Sequence, residues 1–195
     1  MLARRKLEEG DAKKAVELIL QALSYPENLG EGRLEGTKDN NLYYLLGLCY
    51  QRLGDDKKTK ECFEKATLGA SEPAGVMYYY DQPADMILFQ GLAFKALCDT
   101  ASANTRFYKL LDYGEHHVND KFVMDYFAVS MPDMSVFDAD MDMKNKVHCY
   151  YLMGLGNLGL GRTQNAHEWF EKALLLDNNH QLSRIYDSLM ATYYA

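Results

Sequence analysis

Residues 40–66 read NNLYYLLGLCYQRLGDDKKTKECFEKA, and the spacing inside this stretch decides the fold. Tyr43, Leu46, Gly47 and Tyr50 recur at steps of three and four residues, which places them on one face of a helix. Beyond Gly54, Phe63 and Ala66 do the same on a second helix. A glycine at 47 and an alanine at 66 let two helix axes approach closely, while Tyr43, Tyr50 and Phe63 fill the space around the contact. The stretch predicts a helical hairpin closed by small residues set against bulky ones.

The same order recurs along the chain. A shift of 44 residues superimposes Gly10 on Gly54, Ala15 on Thr59, Ile19 on Phe63 and Ala22 on Ala66. A second shift of 44 places Gly47 on Gly91, Tyr50 on Phe94, Phe63 on Phe107 and Ala66 on Leu110, with Gly54 meeting Cys98. A shift of 63 then carries Gly91 onto Gly154 and Phe107 onto Phe170. Self-similarity at a fixed period is the mark of a repeat architecture in which each copy buries its apolar face against the next.

Tyr43, Leu46, Gly47, Tyr50, Phe63 and Ala66 resemble the tetratricopeptide repeat pattern, W-x2-L-G-x2-Y followed by A-x3-F and a later small residue, with Thr59 replacing the first alanine. Tyr150, Met153, Gly154, Ala166, Phe170 and Ala173 repeat it, with Asn157 where an aromatic is expected. The third copy keeps Gly91, Phe94, Ala103 and Phe107 but has Ile87 and Leu110 at two diagnostic places. The resemblance implies an all-α fold, a right-handed superhelix (an alpha-alpha solenoid) of TPR-like helical hairpins.

We divide residues 1–195, taken as a single helical domain, into a truncated first hairpin (1–24), a second (38–70), a third (82–117), an insertion (118–143), a fourth (144–176) and a capping helix (179–194). Met1 falls in mid-helix of the first copy, so the apolar face of Ala15, Leu18, Ile19 and Ala22 is expected to need further N-terminal residues or another covering contact. The 44-residue period exceeds the usual repeat of about 34, and the surplus is loop-like: SYPENLGEGRLEGTKDNN from Ser24 and SEPAG from Ser71. Insertions of this kind collect on one side of a solenoid, often the binding side. Residues 118–143 differ in being apolar and aromatic, and predict a short helix through Phe122 to Val129 that stops near Pro132. Leu182, Ile185, Tyr186, Leu189, Met190 and Tyr193 predict the final cap. The insertion and the VHCYYLMGLGNLGLG helix are also similar to the C-terminal tetratricopeptide region of large bacterial proteins that carry an uncharacterised β-sandwich domain. That similarity implies a domain fragment of a carbohydrate-related protein.

Composition narrows the partners. The net charge of −7 gives no counter-field for phosphates, which speaks against nucleic acid and anionic membrane surfaces. Cys49, Cys62, Cys98 and Cys149 lie far apart in apolar helical patterns and read as buried, reduced thiols of a cytoplasmic chain. No run of about 18 apolar residues occurs.

Several constellations carry residue types used in chemistry. Asp138, Asp140 and Asp142 alternate like the first ligands of a calcium loop, but Met143 stands where the turn glycine belongs and Cys149 where the closing Glu belongs. They read as a solvated turn entering the next helix. His116, His117 and His148 with Cys149 lack any HxxxH or CxxC pairing, and adjacent histidines on a helix point about 100° apart. GLGNLGLG, residues 154–161, lies within and at the end of a helical period rather than after a strand, so its glycines serve packing and a turn. Tyr78, Tyr79 and Tyr80 could line a carbohydrate or peptide site. The sequence thus predicts no enzyme, no metal and no cofactor. A competing class is an enzyme or sugar-binding accessory in which Tyr78 to Asp81 and the His116/His117 turn share a pocket.

The resemblance implies that the first helix of each hairpin builds a concave wall. Carried over position by position, the wall comprises Asn41, Tyr44, Leu48 and Gln51; Asp85, Leu88, Leu92 and Lys95; and His148, Tyr151, Leu155 and Leu158. Relatives that clamp a peptide's terminal carboxylate use several Lys, Arg and Asn there, of which Asn41 and Lys95 remain. An apolar wall suits a protein or peptide partner presenting a helix or extended segment, another domain of the same polypeptide, or self-filling by residues 118–143.

Overall fold

The structure, a computed structural model, describes residues 2–24, 37–75, 82–121 and 140–193, with side chains of the last helix through Ser188. Among the described residues every regular element is a helix: α1 (Leu2–Glu8), α2 (Ala12–Ala22), α3 (Asn40–Arg52), α4 (Asp56–Ala66), α5 (Met86–Ala96), α6 (Thr100–His117), α7 (Met141–Gly159), α8 (Thr163–Leu176) and α9 (Gln181–Tyr193). The predicted helix over 122–129, Pro132, Asp138 and the Tyr78 to Asp81 segment lie outside the described residues.

The turns within the hairpins keep the register found by aligning the chain with itself. Gly10, Gly54, Cys98 and Gly161 have φ of 87°, 74°, 64° and 74°, so the left-handed residue falls at the matched position in every copy. Each amide donates three residues back, to Leu7, Gln51, Lys95 and Leu158. The next amide donates five residues back, to Lys6, Tyr50, Phe94 and Asn157. These paired bonds satisfy the carbonyls orphaned at the first helix's end. In three copies an aspartate follows and starts the second helix: Asp11, Asp55 and Asp99 accept from the amides of Lys14, Lys58 and Ser102 at 3.0, 3.1 and 3.0 Å. Arg162 holds that place in the fourth copy and makes no side-chain cap.

The chain divides into two compact units. The first contains α1 to α5 and the first turn of α6, to Ala103; the second contains the loop from Ser71 and everything from Asn104 onward. The third predicted hairpin is therefore shared, with α5 in one unit and most of α6 in the other.

In the first unit, Leu7, Ala12, Ala15, Ile19, Leu46, Cys49 and Cys62 form one core cluster and Phe63, Ala66 and Ala93 another. Ala15 and Ile19, expected to need a cover, are buried beside Leu7 of α1, while Ala22 is exposed. Leu46 and Cys49 of α3 belong to the same cluster. At Gly47 a Cβ would lie 2.5 Å from Phe63 Cε1, so the α3–α4 contact has room for hydrogen only. Asn40 anchors the end of α4, its Nδ2 donating to the carbonyls of Ala66 at 2.8 Å and Leu68 at 2.7 Å. Asn40 Oδ1 and Thr59 Oγ1 are buried without a partner.

The second unit repeats the contact. A Cβ at Gly154 would lie 2.5 Å from Phe170 Cδ1, on the ring that matches Phe63. Gly114, Gly156 and Gly159 bring α6 against α7: a Cβ at Gly114 would meet the Cys149 carbonyl at 2.8 Å, and one at Gly156 the Phe107 carbonyl at 2.7 Å. The glycines of 154–161 thus serve helix packing and, at Gly161, the turn. Asn157, at the aromatic place, is buried and donates to the Met153 carbonyl at 2.9 Å. Ile87 and Leu110, the two departures of the third copy, are fully buried.

Candidate interaction surface

The candidate surface of the first unit rises from α3 and α5. Asn41, Tyr44, Leu48 and Gln51 follow one another by three, four and three residues, one stripe of α3. Tyr44 is half-buried, its ring centroid 5.8 Å from Phe63 and 6.1 Å from Phe89 of α5. Leu48 and Leu92 are half-buried, and Gln51 and Lys95 are exposed. Apolar surface flanked by polar groups is therefore present on this unit. Asp85 and Leu88 are not part of it: at 8% and 1% exposure they are buried at the start of α5. Neither can touch a partner in this conformation, a correction to the carried-over wall.

The fourth hairpin needs a larger correction. Tyr151, Leu155 and Leu158 are buried, at 3%, 0% and 5% exposure. Tyr151 repeats the geometry of Tyr44, with its ring 6.2 Å from Phe170 and 6.0 Å from Tyr186. Here α9 supplies the covering ring that α5 supplies to Tyr44, and His180 adds an edge contact at 5.0 Å. The cap occupies the position a further hairpin would take, which removes Tyr151 from any partner.

His148, half-buried, is held by the chain itself. Its Nε2 lies 2.9 Å from the Ala74 carbonyl, which can only accept, so Nε2 carries the proton. Burial pushes its pKa below the ordinary value, and the Ala74 bond offsets part of that shift. Lys109 of α6 donates to Ser71 Oγ at 3.0 Å and pairs with the Glu72 carboxylate. A Cβ at Gly75 would lie 3.0 Å from Tyr113 Oη, and the Tyr113 ring meets His148 edge-on at 6.2 Å. Residues 71–75, SEPAG, thus lie against Lys109, Tyr113 and His148. Sequence reasoning found the loop and His148 but missed Lys109 and Tyr113. The available signal was the four-residue step that puts Lys109, Tyr113 and His117 on a stripe separate from Phe107, Leu111 and Gly114.

The histidines, cysteines and aspartates of those constellations have other duties. His116 Nδ1 meets the Asp112 carbonyl at 2.7 Å, and His117 Nδ1 meets Asp120 Oδ2 at 2.7 Å. Burial pushes the Cys149 thiol up to about 12, which leaves it protonated and poor as a nucleophile. Its Sγ donates to Asn145 Oδ1 at 3.7 Å. Cys49 is likewise raised, to about 11. Asp140 is the N-cap of α7, accepting from the Met143 amide at 2.9 Å, and Asp142 accepts from Lys121 Nζ at 2.6 Å. These two carboxylates start and flank a helix.

Comparison with known proteins agrees with the geometry. Residues 41–68 and 147–180 each match the family model described as tetratricopeptide repeat. The matched segments hold the Gly47–Phe63 and Gly154–Phe170 contacts. No solved structure matches the chain. Among the described residues, no helix is long and apolar enough to cross a membrane.

Proposed function

We propose, from the match of residues 41–68 and 147–180 to the tetratricopeptide repeat, that the chain is a protein-protein interaction or scaffolding module whose first unit receives an amphipathic helix or an extended apolar segment. Tetratricopeptide repeats in general mediate such interactions and are typically not enzymes. The observation that carries the reading is the half-buried Tyr44, whose ring lies near both Phe63 and Phe89 and is neighboured on its stripe by Leu48. An amphiphilic ring supported from below is a suitable anchor for an apolar side chain. Gln51 and Lys95 supply polar groups at the rim. The test is binding after charge introduction on this face alone. Leu92→Glu with Lys95→Glu should abolish capture of an interacting polypeptide, while Lys60→Glu on α4 should leave it intact. Equal capture by all three proteins, each verified as helical, would count against the reading.

A second reading is a structural or accessory arm of a larger carbohydrate-related protein; the self-filling expected of residues 118–143 falls mostly outside the described residues. The similarity to the tetratricopeptide region of larger bacterial proteins is what suggests such an arm. An array of sugars screened by thermal shift tests it, since a ligand that binds only the native state raises the melting temperature.

A further inference from the structure

The loop 71–75 does more than connect helices. Lys109 takes both the hydroxyl of Ser71 and the carboxylate of Glu72, His148 donates to a backbone carbonyl, and the phenol oxygen of Tyr113 stands 3.0 Å from where a Cβ at Gly75 would lie, so a small residue fits best there. A cation, a backbone donor and a steric limit are the elements by which a groove reads an extended peptide: charge at one position, main chain at another, size at a third. Pro73 fits this mode, because its ring biases Glu72 toward extended backbone and lowers the entropy of the unbound segment.

We propose that Lys109, Tyr113 and His148 form a recognition site for an extended acidic peptide of Glu-Pro-small-Gly character, and that residues 71–75 occupy it as an internal competitor. The proposal rests on the interaction-module reading only in taking the chain to bind polypeptides. Its site lies in the second unit and its test leaves α3 and α5 untouched, so the two readings fail separately. His148, neutral through burial, acts as a donor without bringing a charge, and the acidic side chain finds its counter-charge in Lys109. Recognition of the backbone carbonyl and the glycine leaves the other positions undemanding. A tethered segment acts at an effective concentration of order millimolar, so it masks the site from any free peptide of weaker affinity.

The experiment uses the full chain and a fluorescein-labelled peptide ASEPAGV, residues 70–76. Glu72→Lys with Gly75→Val places like charges together and crowds a branched side chain against the Tyr113 hydroxyl, which should release the loop. Fluorescence anisotropy is expected to show at least about tenfold tighter peptide binding by this variant than by the unaltered chain. Adding Lys109→Glu should abolish it. Peptides carrying the Glu→Lys or the Gly→Val change should bind at least about fivefold more weakly to the opened variant. Equal affinity of opened and unaltered chains, or indifference to Lys109→Glu, would overturn the proposal. Should the opened variant not fold, NMR titration of the unaltered chain with several millimolar peptide decides instead. Shifts confined to the resonances of Lys109, Tyr113 and His148 support the site, and unmoved resonances overturn it.

Discussion

Replacing Cys98 by glycine should stabilise this protein, although it deletes a side chain. Cys98 has φ of 64° and is exposed, and Gly10, Gly54 and Gly161 hold the matched place in the other hairpins. A side chain in the left-handed region costs about 1–2 kcal/mol because Cβ crowds the following carbonyl. Glycine removes that cost but loses about 0.4–1 kcal/mol through the greater freedom of the unfolded chain. The balance for Cys98→Gly is a gain of about 0.5–1 kcal/mol, with no packing to lose at an exposed position. For a chain of this length that amounts to a rise of about 1–4 °C in the melting midpoint. Gly54→Ala is the mirror experiment. A Cβ there meets nothing within 4 Å, so the whole cost is conformational and should reach about 1 kcal/mol. Thermal and urea unfolding followed by circular dichroism measure both. A lowered or unchanged midpoint for Cys98→Gly would refute the reasoning that the four turns share one backbone geometry.

Thr59 stands where the repeat pattern has alanine, and its hydroxyl is buried without a partner. Thr59→Ala should raise stability by about 1 kcal/mol, by removing an unsatisfied polar group and improving helix propensity, and urea denaturation would detect it. The clasp of α9 on α8 should depend on pH. His167 Nδ1 lies 2.6 Å from Asp187 Oδ1, and that hydrogen bond, helped by Glu171 and Glu168, raises the imidazole pKa above its ordinary value. The contribution is fully present below the unfolded value near 6.5 and is lost as pH rises through the higher folded value. Asp187→Asn should therefore destabilise more at about pH 5.5 than at about pH 8.5, and an equal loss at both would contradict the clasp. His148 and His180, whose pKa values burial lowers, act in the opposite sense, but they are common to both proteins and drop out of the difference.

The hairpins were legible because their determinants are local. Gly47 and Phe63 are 16 residues apart, and the helical period alone sets them face to face. The alignment sets Cys98 on Gly54, but the expectation that all four cysteines are buried fails there, because Cys98 is the exposed left-handed residue of a turn. Burial across successive hairpins was not legible. Leu88, Tyr151 and Leu155 occupy wall positions in the pattern, but whether a wall residue meets solvent depends on what the rest of the chain lays over it. Tyr186 covers Tyr151 from 35 residues away, and no periodicity records that distance. The same limit hid Lys109 and Tyr113, whose partner is a loop 34 or more residues upstream.

The central claim is that the second and fourth hairpins each close on a glycine set against a ring, and a double-mutant cycle at Gly47 and Phe63 tests it most directly. Gly47→Ala alone forces a methyl to 2.5 Å from the ring and should cost about 1–3 kcal/mol. Combined with Phe63→Leu, which clears the ring edge, it should cost clearly less than the sum of the single changes, with a coupling of about 1 kcal/mol or more. The cycle at Gly154 and Phe170 should give the same sign. Additivity within about 0.5 kcal/mol at both pairs would mean that the two residues do not touch as described, and would contradict the account.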